Sequence, residues 1–192
     1  TSFFDLLTYP IAAPGINLLL LLMINQKNGR EGIHRVVCAS CAWFAGYAGM
    51  WSEKGVLASL VTGDSVIKEA FEMIRFRTLG EKTAAYGIGD SEQFSVFEVI
   101  RLNALPYFNL ATGVLVILFL VFIGYLLIYR KFRLGISFEK IIPFLLVSFY
   151  PIVWYVVLRN HSGIHFWFTH RNFSVTIMGI SCMAAISLHK KE

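Results

Sequence analysis

Charged residues are scarce in this 192-residue chain, where Asp, Glu, Lys and Arg together make up 15% of the sequence. A soluble domain usually carries about a quarter. Since 56% of the residues are hydrophobic and the mean hydropathy is +0.63, the composition excludes an ordinary water-soluble globule. The organisation of the chain is therefore described by membrane spans rather than by soluble cores.

Cysteine is also scarce, with three residues that all lie in apolar runs: Cys38, Cys41 and Cys182. This placement excludes a disulfide-stapled scaffold, and the Cys38-Ala-Ser-Cys41 spacing lacks the electropositive setting of a redox motif. The formal charge is +5, yet no basic run alternates with aromatic residues as a strand-binding groove requires. We expect no nucleic-acid partner, no metal and no cofactor.

The chain begins with Thr1, and no charged segment followed by a cleavage site precedes its apolar sequence. This start predicts a processed chain or the C-terminal part of a longer one.

Five apolar segments predict an all-α, polytopic transmembrane helix bundle that forms a single membrane domain. The third segment is the clearest, because its twenty residues without a charge match the ~20 that a helix needs to cross the hydrocarbon layer. The first is interrupted by Pro14 and Gly15 and either spans or re-enters. The five segments are 11–24, 36–51, 110–129, 141–158 and 173–188.

The basic residues predict the orientation of this bundle. Segments 25–35, 130–140 and 189–192 hold nine of the 17 Lys and Arg residues in 26 positions, whereas segments 52–109 and 159–172 hold eight in 72. By the positive-inside rule the first three segments are cytoplasmic. The prediction is a multi-pass protein of the inner membrane with its N-terminus outside and its C-terminus in the cytoplasm.

The long outer loop 52–109 is expected to contain two amphipathic helices over the outer face. The first begins at Asp64 or Ser65 and stops at Gly80, because apolar residues recur every three or four positions between them. For the second, Asp90 and Gln93 resemble a capping box, and Pro106 follows its end near Asn103.

The densest cluster of functional groups lies in the short outer segment 159–171. It contains three histidines, His161, His165 and His170, and is bracketed by Arg159 and Arg171. Arginine offers a planar fork for phosphate oxygens, and histidine adds hydrogen-bond donors, so the segment suits the phosphate of a lipid carrier. The alternative interpretation is that these residues are ordinary interfacial anchors. A metal site is less favoured, because one His-x-x-x-His pair supplies two ligands and the segment has no carboxylate.

Two further candidate sites are acidic or charged groups close to apolar segments. Glu53 and Lys54 follow the second segment and would line the mouth of a cavity or simply end a solvated helix. Asp5 is an isolated acid beside a proline-broken apolar segment, or a helix cap.

Three phrases of the sequence carry a resemblance to a known class. They are Phe4-Asp-Leu-Leu-Thr-Tyr-Pro10, Gly46-Tyr-Ala-Gly-Met-Trp-Ser-Glu-Lys54 and Arg159-Asn-His-Ser-x-x-His-x-Trp-Phe-Thr-x-Arg171. Together they resemble the C-terminal half of bacterial multi-span proteins of polysaccharide synthesis, similar to the GT-C class of membrane glycosyltransferases. Gly55 stands where that pattern would have Trp, which weakens a substrate role for Glu53 and Lys54.

The resemblance implies transfer of a sugar from a polyprenyl-phosphate donor on the outer membrane face. Arg159 and Arg171 would hold the donor phosphate, and His161, His165 and His170 would hydrogen-bond the phosphate or the leaving group. The acidic base of the class has no counterpart in these residues. Membrane lipid, the lipid-linked sugar and other membrane subunits are the expected partners. The alternative is a non-catalytic binding, transport or assembly module for lipid-linked polysaccharide.

Overall fold

The computed structural model describes residues 10–26, 28–63, 66–80, 93–135 and 137–190. These residues are mostly helical, which confirms the helical class, and two short strands complete the fold. The helices are α1 (Ala12–Asn25), α2 (Gly29–Thr62), α3 (Val66–Leu79), α4 (Val96–Ala104), α5 (Leu110–Ile128), α6 (Phe138–Ser148), α7 (Tyr150–Val157), α8 (Arg159–Ile164), α9 (Phe166–Thr169) and α10 (Phe173–Ser187), and the strands are β1 (Phe132–Leu134) and β2 (Leu188–Lys190).

Among the described residues, two helices are long and apolar enough to cross a membrane: Leu110–Ile128 and Phe138–Val157. They match the third and fourth predicted spans, and by length and composition they support association with a membrane. The helices at the first and fifth predicted spans are shorter, with 14 residues in α1 and 15 in α10. The expected bundle of five spans is therefore not confirmed.

Helix α2 is longer than the sequence predicts. The apolar pattern places its end at Trp51, but the helix continues without a break to Thr62, where Gly63 adopts a left-handed backbone conformation with φ 76°. Its 34 residues correspond to about 51 Å, which exceeds the ~30 Å hydrocarbon layer. The long predicted loop therefore begins as a continuation of α2.

The two helices expected in the outer loop are present, with one corrected start. Helix α3 ends at Leu79 before Gly80, as predicted, while Asp64 and Ser65 lie outside the described residues. Helix α4 is capped by Ser95, whose side chain accepts a hydrogen bond from the Glu98 amide. The start predicted from Asp90 and Gln93 is wrong, because Ser95 caps the helix and Glu98 lies in its first turn; Asp90 itself lies outside the described residues.

The fourth apolar segment is divided into α6 and α7 by a turn at Phe149. Pro143 lies inside α6, and Pro151 is the second residue of α7. A proline has no amide hydrogen and leaves the carbonyl one turn earlier without its helical partner, so the break agrees with the predicted kink. The turn leaves the side chain of Ser148 buried against α10.

A bundle of α1, α2, α6, α7 and α10 forms the core of the fold. Close helix contacts depend on small residues: an added Cβ at Gly15 would lie 2.7 Å from Val175, and one at Gly179 would overlap the Ser148 hydroxyl. The Thr176 hydroxyl donates to the Ser148 carbonyl at 2.8 Å, which joins α10 to α6. The packed apolar residues are Ile11, Ala12, Leu18, Leu19, Leu22, Val36, Phe144, Val147, Trp154, Tyr155, Val175 and Cys182.

Three segments distant in sequence meet at one end of this bundle. Strands β1 and β2 pair antiparallel, with Arg133 opposite His189, and so join the α5–α6 connection to the end of α10. Nε2 of the Gln26 side chain donates to the Lys140 carbonyl at 3.0 Å, and an added Cβ at Gly29 would overlap the Glu139 carbonyl. The connections richest in Lys and Arg therefore lie together at what we name the basic end.

Candidate functional site

The segment of residues 159–172, which we name the histidine segment, lies at the end of the bundle opposite the basic end. The sequence predicts a short outer loop, but the segment forms α8, α9 and a 3-10 turn at His170–Asn172. Its small polar side chains are covered, since Ser162 and Thr169 are both 0% exposed. The buried polar side chains of the segment therefore lie inside the protein, while Phe166, Trp167 and Arg171 remain exposed.

A buried hydrogen-bond network fixes the histidine segment to α4. The Thr169 hydroxyl donates to Oδ1 of Asn103 at 2.7 Å, and Nδ2 of Asn103 donates to the Ser162 carbonyl at 3.0 Å. The Tyr155 hydroxyl donates to the Thr169 carbonyl at 2.8 Å. Because a buried amide needs both its donor and its acceptor satisfied, Asn103 determines how α4 sits on the segment.

Helix α3 covers the other side of the segment. Nδ2 of Asn160 donates to the Phe76 carbonyl at 2.9 Å, near the end of α3. Gly80 follows that helix with a left-handed φ of 75°, and an added Cβ there would lie 3.1 Å from Oδ1 of Asn160. The two outer helices therefore pack on the histidine segment. The apolar pattern of the sequence predicts the helices but not this contact.

His161 and His165 come together as their four-residue spacing predicts. Their ring centroids are 4.8 Å apart, and the His165 ring stacks on Phe168 at 5.2 Å. Trp167 meets the same imidazole edge-on at 5.0 Å. Burial lowers the pKa of His165, and the positive charge of Arg77 on α3 lowers it further. The neutral imidazole is therefore favoured here.

Several buried polar atoms of the segment have no hydrogen-bond partner within the part of the chain that the structure describes. They include Oδ1 of Asn160, Oγ of Ser162, Nδ1 of His165 and both side-chain amide atoms of Asn172. A hydroxyl and a neutral imidazole can each donate one hydrogen bond, so Ser162 and His165 bring donor capacity to this interior.

The remaining predicted residues of the segment are placed differently from one another. Arg159 is half-buried at the start of α8, whereas Arg171 is exposed in the 3-10 turn. His170 does not join the two other histidines in their ring cluster: its ring packs edge-on against Tyr107 at 6.0 Å, and the Tyr107 hydroxyl donates to its backbone carbonyl.

Glu53 and Lys54 lie within the second half of α2, because that helix continues eight residues past Lys54. They therefore do not end the helix. Glu53 is exposed, and Nζ of Lys54 lies 5.7 Å from the centre of the Trp51 ring. Asp5, the other candidate acid, lies outside the described residues.

An apolar groove of about 630 Å³ runs between α1, α2 and α7. Its polar groups are few: Asn17 on α1 and a hydrogen-bonded pair of hydroxyls on Ser40 and Tyr150. The groove reaches Val157, the last residue of α7, and Arg159 of the histidine segment follows two positions later. The other lining residues are Ile11, Pro14, Leu18, Leu21, Ala39, Trp43, Phe44, Val153 and Trp154.

Two residues of this site escape the sequence analysis, Asn103 and Arg77. In the sequence, Asn103 lies near the end of a predicted amphipathic helix, and Arg77 is one of several cations in the segment that forms α3. Their roles depend on contacts with residues about 60 to 90 positions away, which helical periodicity does not encode.

In the described part of the chain, no three His, Cys, Asp or Glu side chains converge as a metal site would require. The candidate site has two parts, the apolar groove whose lining ends at Val157 and the covered polar turn that begins at Arg159. Comparisons with models of known families, with curated proteins and with solved structures give no match for this chain.

Proposed function

We propose that this chain is part of a GT-C-type membrane glycosyltransferase, which uses a polyprenyl-phosphate sugar at the outer face of a bacterial inner membrane for surface polysaccharide synthesis. The observation that carries the proposal is the apolar groove whose lining reaches Val157, two positions before Arg159 in the chain. A polyprenyl-phosphate donor has the same two parts, a hydrocarbon chain joined to a phosphate. The volume of the groove, about 630 Å³, lies within the range of sites that bind small molecules.

The histidine segment supplies the groups suited to the phosphate. Arg159 and Arg171 provide guanidinium forks, and the buried Ser162 hydroxyl adds a neutral donor. Burial lowers the pKa of His165, so this side chain serves as a neutral hydrogen-bond donor rather than as a charge. In such a water-poor site, each hydrogen bond to an anionic oxygen is stronger than it would be in solvent.

The proposed topology follows from the basic end. Helices α1, α2, α5 and α10, together with the α6–α7 pair, cross the bilayer as five spans. The basic end faces the cytoplasm by the positive-inside rule. The histidine segment, α3 and α4 then lie outside, and α10 returns the chain to the cytoplasmic side.

The test uses purified full-length protein and polyprenyl phosphate as the probe. Arg159→Gln combined with Arg171→Gln should weaken binding about tenfold or more, because hydrogen bonds to charged groups contribute about 1.5–3 kcal/mol. Lys68→Gln, an exposed cation on α3, is the control and should leave binding unchanged. Unchanged binding by a folded double variant would remove the phosphate role.

A second pair of variants tests the groove. Ala39→Trp fills the groove from α2 and should abolish retention of polyprenyl phosphate, whereas Leu118→Trp at an exposed position of α5 should not.

Outer-surface glycan measured in cells distinguishes the glycosyltransferase from the non-catalytic module. Binding without any sugar transfer by the complete protein would favour a non-catalytic module for lipid-linked polysaccharide over the glycosyltransferase.

A further inference from the structure

The β1–β2 ribbon at the basic end is amphipathic. Its register pairs Leu134 with Leu188 and Arg133 with His189. Because side chains alternate between the faces of a strand, the Leu134–Leu188 pair shares one face with the Phe132–Lys190 pair, and Arg133 shares the other with His189. An isolated two-stranded ribbon is marginally stable in water, so its apolar face requires an apolar neighbour.

The surroundings of the ribbon supply that neighbour only in part. Leu134 is 59% exposed and the flanking Phe138 is 75% exposed. The ribbon lies between the end of α5 and the start of α6, which are the two helices able to cross a membrane. Tyr125 and Tyr129 stack at the end of α5, where aromatic rings are favoured at headgroup depth. The ribbon therefore lies where the interface of a bilayer crossed by these two helices would be.

The same surface carries an excess of positive charge. Among the described residues of the three connections, the exposed carboxylate is Glu139, while Glu31 forms an ion pair with Arg35 at 2.7 Å. The exposed cations are Arg30, Arg130, Lys131, Arg133 and Lys140. Like charges brought together in this way repel each other unless an anion lies between them.

We propose that the ribbon is a binding surface for anionic lipid headgroups, independent of the glycosyltransferase activity proposed above. The face with Leu134 and Leu188 lies against the acyl chains, as the apolar face of an interfacial amphipathic element does. Arg130, Lys131 and Arg133 contact the lipid phosphates around it. The occupant is a lipid rather than an acidic protein segment, because exposed apolar side chains alternate with the cations at a membrane boundary.

The experiment measures binding of phosphatidylglycerol to full-length protein in phosphatidylcholine nanodiscs, by native mass spectrometry after release. Arg130→Gln combined with Arg133→Gln should weaken retention of phosphatidylglycerol about thirtyfold, because each cation near an anionic surface contributes about 1 kcal/mol. Lys68→Gln combined with Arg101→Gln removes the same charge at exposed positions of α3 and α4 and should have little effect.

Three outcomes would overturn the proposal: no preference of the wild type for phosphatidylglycerol over phosphatidylcholine, an equal loss in both double variants, or displacement of the lipid by millimolar inorganic phosphate. If the ribbon variant does not fold, salt titration of the wild type replaces it. Retention should then fall steeply between low and high salt, and salt-independent retention would contradict the proposal.

Discussion

Helix α5 and the histidine segment show opposite patterns of burial. None of the 19 residues of α5 is buried, although the helix is almost entirely apolar. The histidine segment is rich in polar side chains, and Asn160, Ser162, Thr169 and Asn172 are all buried. In a water-soluble protein this arrangement would be costly on both counts. The contrast supports association of α5 with a membrane, while hydrogen bonds through Asn103, Thr169 and Tyr155 hold the polar turn inside the protein.

The largest effect should come from placing a charge on α5. Leu118→Arg puts a guanidinium near the middle of a helix that no other described element covers there, and insertion of an arginine into a bilayer costs about 2.5–3.5 kcal/mol. The inserted fraction, measured with a glycosylation reporter in microsomes, should fall sharply. Leu118→Ile is the control and should insert normally. Normal insertion of the arginine variant would show that α5 does not face lipid.

The next effect should come from removing the amide that joins the histidine segment to α4. Asn103→Ala leaves the Thr169 hydroxyl and the Ser162 carbonyl without this partner, at a cost of about 2–3 kcal/mol in the free energy of unfolding. Denaturant titration in detergent measures this loss. Asn109→Ala removes the exposed cap of α5 and should cost only about 1 kcal/mol. Equal losses would contradict the distinction between the two regions.

A smaller effect should follow from adding one methyl group to each region. An alanine Cβ at Gly163 would overlap the Phe94 ring, so Gly163→Ala should destabilise the protein by about 1–2 kcal/mol. Gly113 on α5 has no atom within 4 Å of the same position, and Gly113→Ala should be neutral or slightly stabilising. The same titration in detergent compares them. A cost at Gly113 would reveal a covering partner on α5.

The smallest effect concerns pH. Because the folded protein lowers the pKa of His165, the unfolded state binds a proton more readily, and stability falls as pH drops below the ordinary histidine value of about 6.5. His165→Gln removes this contribution. The difference in unfolding free energy between wild type and variant should be constant above about pH 7 and shrink below pH 6.5. A constant difference across the whole range would contradict the burial of this imidazole.

The sequence predicts the positions of the apolar helices well, because hydropathy and the ~20-residue length requirement are local properties. It fails for α2, since the polar residues Ser52, Glu53 and Lys54 look like a helix end. Glutamate and lysine are nevertheless good helix formers, and the backbone continues to Gly63. The start of α4 is missed because Asp90 and Ser95 are both favourable N-cap residues and lie five positions apart in the sequence. The local pattern alone does not choose between them.

The candidate site was predicted in part. The meeting of His161 and His165 follows from a four-residue spacing in a helix. The covering of these residues by α3 and α4 depends on Asn103, Phe76 and Gly80, which contact the segment across long stretches of chain. Such contacts are set by tertiary packing, so no local pattern indicates that the polar turn is an interior one.

The pairing of β1 with β2 also has a consequence for biogenesis. Strand β2 follows α10, so β1 can pair with it only after all the intervening helices have left the ribosome. The entropic cost of closing a loop rises only slowly with its length, so the two strands can still pair across this long separation once the helices have packed. The ribbon would then form last in assembly, after α6, α7 and α10 have packed.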